Sequence, residues 1–169
     1  MLKLNELYLM DCMEGMAQFP DKYFELAIVD PPYGIGIDGQ KLSINNNPKH
    51  NRKEHIKKGW DSQMPDEHYF CELFRVSKNQ IIWGGNYFIK HLNEGHKGWI
   101  IWDKGQHDLT MSDGEMAYSS FDCPTRIKIF NRVELLKEGT IHPTQKPIKL
   151  YEWLLLNYAK PGDKILDTH

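Results

Sequence analysis

The sequence predicts an α/β fold: an open, mostly parallel sheet with helices on both faces. Two observations predict it. Short apolar runs rich in aromatic and β-branched residues recur along the chain and alternate with stretches of helical periodicity. The runs are also continuous rather than alternating, as expected of strands covered on both faces.

Taken in order, LYLM (7–10), LAIV (26–29), IIWGG (81–85), WIIW (99–102) and KIL (164–166) read as strands. Residues 66–76 read as a helix, because Tyr69, Phe70, Leu73 and Phe74 recur at three- and four-residue spacing. Residues 147–158 repeat the pattern with Ile148, Tyr151, Leu154, Leu155 and Tyr158. Thr144 is expected to cap this second helix and Pro147 to occupy its first turn, while Lys160, Pro161 and Gly162 end it.

At 169 residues the chain has room for one domain with a substantial core, and residues 1–169 are expected to form a single unit. Its composition, 40% hydrophobic and 26% charged, excludes a disordered low-complexity chain. The net charge of −2 gives no global attraction to nucleic acid or anionic membrane, so such binding requires a local patch. Cys12, Cys71 and Cys123 are odd in number and unpaired in spacing, which argues against a disulfide framework or a four-cysteine zinc site. A cytoplasmic location is expected, because Glu6 and Asp11 interrupt any leader-like stretch and no apolar run reaches membrane-spanning length. The histidine pairs His50/His55 and His91/His96 are five apart and do not share a helical face, so no metal site is expected. The short GIG and GGN sequences read as tight turns.

Four of the five strand candidates end in aspartate: Asp11, Asp30, Asp103 and Asp167. Aspartate often follows a strand simply as a turn former, but open α/β sheets bind ligands beyond the carboxyl ends of their strands. Four together favour a site with several acidic contacts. Residues 39–58 break the alternation. They hold six cations, including Lys49, Arg52, Lys53, Lys57 and Lys58, against Glu54 alone, a local charge of +5. A basic, flexible loop is expected over 36–62.

The sharpest motif is DPPYGIG at 30–36, directly after LAIV. Two prolines fix φ and remove two N–H donors, leaving nearby carbonyls free to accept. A rigid turn with a packed tyrosine is the plain reading of Pro31, Pro32 and Tyr33. With Asp30 at a strand end, the motif also suits a planar, amino-bearing ligand: Tyr33 stacks on its face while Asp30 and the Pro31 carbonyl accept from its NH2 group.

DPPY after a strand, preceded by MDCMEGM (10–16) and followed by HPTQKP (142–147) and GDKILD (162–167), resembles the β class of amino-methylating DNA methyltransferases. The ordered set spans nearly the whole chain. Methylases of ribosomal RNA or protein glutamine carry a similar NPPY motif but place their glycine-rich cofactor loop before it; only 29 residues precede Asp30 here, with Gly15 their single glycine.

The resemblance implies a Rossmann-like methyltransferase sheet, S-adenosylmethionine as cofactor, double-stranded DNA as partner, and transfer to N6 of adenine, which DPPY favours over N4 of cytosine. It implies that Asp30, Pro31, Pro32 and Tyr33 are catalytic. It further implies that Asp11 and Cys12 meet the adenine of the cofactor, that His142, Thr144, Gln145 and Lys146 form the motif at its methionine end, and that Asp30 and Asp167 complete the cofactor site. Lys49, Arg52, Lys53, Lys57 and Lys58 are the candidate DNA-binding residues. After Asp167 the family continues with a glycine-rich turn, a helix and further strands, whereas this sequence stops at His169, so the sheet is expected to be incomplete at the C-terminus. DTH in place of the commoner DPF resembles phage-type members, and a role in restriction–modification is a further expectation. The alternatives are a non-catalytic nucleic-acid-binding remnant, transfer to N4 of cytosine, or an RNA substrate.

Overall fold

The continuous apolar run at 26–29 lies in the strand on which the core is organised. The computed structural model describes residues 1–39, 56–92, 97–105, 107, 112–131, 142 and 144–169. Within these, a short helix α1 (Cys12–Met16) precedes β1 (Phe24–Val29); α2 (Glu67–Val76) runs directly into β2 (Ser77–Trp83); and β3 (Trp99–Asp103), β4 (Gly114–Ser119), β5 (Arg126–Ile129), α3 (Ile148–Tyr158) and β6 (Ile165–Leu166) follow. A 3-10 turn lies at Ile89–His91.

The six described strands form one sheet in the order β5-β3-β4-β2-β1-β6. β1 is parallel to β2 and β6, β3 is parallel to β5, and among these strands β4 alone runs the other way, between β2 and β3. The sheet is therefore open and mostly parallel, as expected. Successive side chains of β1 point to opposite faces, so Ala27 and Val29 pack with Phe70, Leu73 and Val76 of α2, while Leu26 and Ile28 pack with Leu150 and Leu154 of α3. Helices cover both faces, and this explains why residues 26–29 are apolar without alternation.

The helices form where their periodicity places them, with different ends. Asp66 caps α2, its carboxylate accepting from the Tyr69 amide at 3.2 Å. For α3 the expected cap is corrected: Pro147 itself is the N-cap, in extended conformation and without a side-chain cap, while the Thr144 hydroxyl lies 2.9 Å from His142 Nδ1. Pro147 supplies no N–H at a position where none is needed.

The expected strand at 7–10 is also corrected. Leu7 and Leu9 are fully exposed and the segment pairs with no described strand. The edge of β1 is taken by β6 instead, through Leu26↔Ile165 and Ala27↔Leu166. Residues 3–8 close on themselves: the Lys3 amide donates to the Tyr8 hydroxyl at 2.9 Å, which donates to Glu6 at 2.8 Å.

Sequence reading did not foresee β4, β5 or α1. The antiparallel direction of β4 matters most, because its first residues lie at the same sheet edge as the last residues of β3, with Trp102 opposite Glu115 and Asp103 opposite Gly114. Asp30, Asp103, Glu115 and Asp167 thus gather along one edge. No helix among the described residues is long and apolar enough to cross a membrane.

Candidate active site

A cavity of about 710 Å³ opens at this carboxyl edge, within the size range of sites for small organic ligands. Of the sequence-predicted residues, Asp30, Pro31, Pro32, Tyr33, His142, Thr144 and Lys146 line it. Asp11, Cys12, Gln145 and Asp167 lie outside its walls. Trp60, Asp61, Asn86, Tyr87, Lys104, Glu115 and Tyr151 line it too, and sequence reading named none of them as a site residue.

Asp30 follows the last residue of β1, where the two prolines end the strand. Both its oxygens are engaged: Oδ1 accepts from the Tyr33 hydroxyl at 2.7 Å, and Oδ2 accepts from the Lys146 ammonium at 2.5 Å. A carboxylate offers about four lone-pair sites, so two such bonds leave it capacity for another donor. Tyr33 is held from several sides. Its ring stacks on Tyr87 with centroids 5.1 Å apart and meets the edge of Phe88 at 6.0 Å. Burial, followed by the charges of Asp30 and Glu115, pushes its hydroxyl far above the usual tyrosine range, so it remains a proton donor. Gly84 makes room for this ring. It adopts φ +70°, and its carbonyl accepts from the Tyr87 amide at 2.8 Å in the tight turn expected of GGN.

Lys146 is the most deeply buried cation described, with its side chain 2% exposed. Three N–H donors meet three acceptors: Asp30 at 2.5 Å, Glu115 Oε2 at 3.2 Å and the Tyr33 hydroxyl at 3.3 Å. Its ammonium also lies 5.2 Å from the Trp83 ring centroid. The sequence reading pairs this lysine with a ligand carboxylate; in the structure its ammonium stands against the carboxylates of the chain itself. Glu115 Oε1 in turn accepts from Lys104 at 3.0 Å. Burial alone would raise the Glu115 carboxyl, but the Lys146 and Lys104 ammoniums outweigh it and hold the group below its ordinary range.

The remaining predicted residues are placed nearby. Asp11 caps α1, its Oδ1 accepting from the Met13 amide at 2.7 Å. Cys12 opens that helix and packs on the core, where burial raises its thiol. The Gln145 backbone N–H donates to the His142 carbonyl at 3.2 Å. His142 packs on Trp60, ring centroids 5.0 Å apart. Asp167 keeps access to solvent, yet desolvation by the surrounding protein, reinforced by the charge of Asp30, raises its carboxyl to about 6. Tyr69 connects the two regions, its hydroxyl 2.8 Å from Thr168 Oγ1. Among the described residues no cluster of three His, Cys, Asp or Glu could hold a metal ion.

The basic loop is described only at its ends; Lys49, Arg52 and Lys53 lie outside the described residues. Lys57 and Lys58 are exposed. Where the stretch expected as a flexible loop, 36–62, meets the body, two buried aspartates bond its described ends. Asp61 accepts from the Gly34 amide at 2.7 Å and the Ile37 amide at 2.8 Å. Asp38 accepts from the Lys58 amide at 2.7 Å and from that of Gly59. Gly39 lies against Lys57, where a Cβ would meet Lys57 Cβ at 3.1 Å, so the chain leaves and returns at one place. The sequence clue was the Trp60–Asp61 pair that closes the polar stretch.

No protein-family model matches the chain, and no curated protein matches it. Solved structures do. TTHA0409 of Thermus thermophilus, described as a "Putatative DNA Modification Methylase", is 15% identical with a TM-score of 0.49, over 94% of this chain and 77% of that one. PvuII DNA methyltransferase (cytosine-N4-specific) is similar over 95% of this chain and 72% of its own, with a TM-score of 0.55 and 12% identity. The chain thus has the α/β fold of the PvuII enzyme, with its cavity at the carboxyl edge of that sheet.

Proposed function

We propose that this protein is a DNA methyltransferase that moves a methyl group from S-adenosylmethionine to N6 of adenine in duplex DNA. The observation that carries the reading is Asp30-Pro31-Pro32-Tyr33 at the carboxyl end of β1, facing a cavity of about 710 Å³ in a sheet like that of the PvuII enzyme. The residues present fit the cofactor: beside Asp30 the cavity carries the Thr144 hydroxyl and aromatic rings. The Thr144 hydroxyl would meet its carboxylate end, Lys146 being committed to Asp30, Glu115 and Tyr33, and Asp167 lies at the end of β6 next to the same edge.

When bound, S-adenosylmethionine supplies an electrophilic methyl group on a sulfonium. The chain supplies acceptors. The lone pair of an exocyclic amine is delocalised into its ring; the Asp30 carboxylate and Pro31 carbonyl localise it by holding the two N–H groups. The nitrogen sheds one of these protons as it gains the methyl group, and Asp30 receives it and passes it to solvent. An amine inside a duplex is out of reach, so the base leaves the helix and packs among Tyr33, Tyr87 and Trp60.

The PvuII enzyme acts on N4 of cytosine, and this likeness supports a second reading with cytosine as the target. Both amines present the same pair of N–H donors. Incubating the protein with methyl-labelled cofactor and duplexes lacking either adenine or cytosine tests the two. Label in N6-methyladenine is the expected result; label in N4-methylcytosine supports the second reading, and no label on any duplex overturns both.

A further inference from the structure

We propose that Glu115 is a positioning residue for methyl transfer: by holding the buried Lys146 ammonium from β4, it sets the orientation of the Asp30 carboxylate. The inference rests on the methyltransferase reading above and deepens it.

Asp30 belongs to a loop, and a loop carboxylate has no orientation of its own. Tyr33, three residues on, fixes Oδ1 but belongs to the same loop. The other oxygen is fixed by Lys146, from the segment before α3. A lysine ammonium at the end of four rotatable bonds is a poor guide unless something holds it. Glu115 does, at 3.2 Å, from a strand hydrogen-bonded on both sides in the sheet. Lys104, just beyond β3, holds Glu115 from behind at 3.0 Å. The chain Asp30–Lys146–Glu115–Lys104 thus links the catalytic loop to the sheet through alternating charges, two negative and two positive.

The arrangement also determines how strongly Lys146 competes for Asp30. An ammonium 2% exposed cannot be left with a single partner that must also serve a substrate. Glu115 shares its charge, so Asp30 can accept an amine while Lys146 remains paired. Without Glu115 the ammonium would fall wholly to Asp30 and compete with the amine.

Glu115→Gln keeps the shape and removes the charge. We expect its single-turnover methylation rate to fall tenfold or more, with KM for cofactor and DNA within threefold of the original. Lys104→Gln, which weakens the chain one step further away, should lower the rate about threefold and serves if Glu115→Gln folds poorly. A second readout needs no ligand: the Lys146 ammonium resonance should be slow to exchange in the original protein and broaden into exchange in Glu115→Gln. An active original protein whose Glu115→Gln variant keeps its rate within twofold overturns the role. So does a defect confined to KM, or an unchanged Lys146 resonance. An original protein inactive on every duplex overturns the parent reading and the role with it, an outcome distinguishable because it appears before any variant is made.

Discussion

The Tyr33 ring approaches Gly84 so closely that a Cβ there would lie 2.2 Å from Tyr33 Cε1. No non-bonded pair of carbon atoms tolerates that distance, so the turn after β2 fixes where the ring of the first loop can lie. Gly84→Ala should therefore displace Tyr33 and, at φ +70°, strain the backbone, destabilising the fold by about 1–3 kcal/mol. Urea titration measures this. In a Tyr33→Ala background the same change should cost less, because the ring it strikes is gone.

Asp30→Ala should abolish methyl transfer and leave the fold intact, since its carboxylate is placed to accept from the target amine. Labelled-cofactor assays and circular dichroism check the two halves. Retained turnover would remove Asp30 from the reaction.

Asp61→Ala should destabilise the protein by about 1 kcal/mol, because the Gly34 and Ile37 amides lose their acceptor at a part-buried site. The turn after Tyr33 should then open to protease before the core does. Limited proteolysis followed by mass mapping would locate the first cut near residues 34–37.

The Asp167 carboxyl rises from 3.8 to about 6 in the folded chain. Between those values the folded state binds more protons than the unfolded one, so the stabilisation is full below pH 3.8 and disappears as pH rises through 6. Asp167→Asn should flatten this part of the stability curve. Thermal midpoints at intervals from about pH 4 to pH 7 measure it, and identical slopes would show that the carboxyl titrates normally.

Replacing Arg52, Lys53, Lys57 and Lys58 by alanine should weaken binding equally on every DNA sequence and flatten the salt dependence by about 0.9 for each phosphate no longer neutralised. Fluorescence anisotropy over a salt series reads both. An unchanged slope would mean that these cations keep the protein soluble and touch no phosphate.

How legible this molecule was depends on the residue. β1 and β2 could be read because both faces of their C-terminal halves are buried, so residues 26–29 and 81–83 are apolar. Leu7 and Leu9 misled for the same reason in reverse: an apolar run looks like a strand whether or not a partner strand is there. β4 was invisible because GEMAYS is polar at its start, and that polarity belongs to the site. DPPY marked the cavity because its chemistry is local. Glu115 could not be found, since its meaning depends on Lys146 and on a strand direction that no spacing encodes.

Asp38, by tying the chain to Lys58 and Gly59, pins together the two described residues, Gly39 and Ile56, that flank the stretch 40–55. Closing a loop across fixed ends costs only about 0.6 kcal/mol for each doubling of its length. The segment can thus be lengthened, shortened or exchanged for another while Asp30, Tyr33 and Lys146 stay where they are. The cations proposed above to meet phosphate within 40–55 are in this way separable from the residues proposed for the reaction, and a graft at residues 40–55 should alter the strength of DNA binding on every sequence alike without retuning the chemistry.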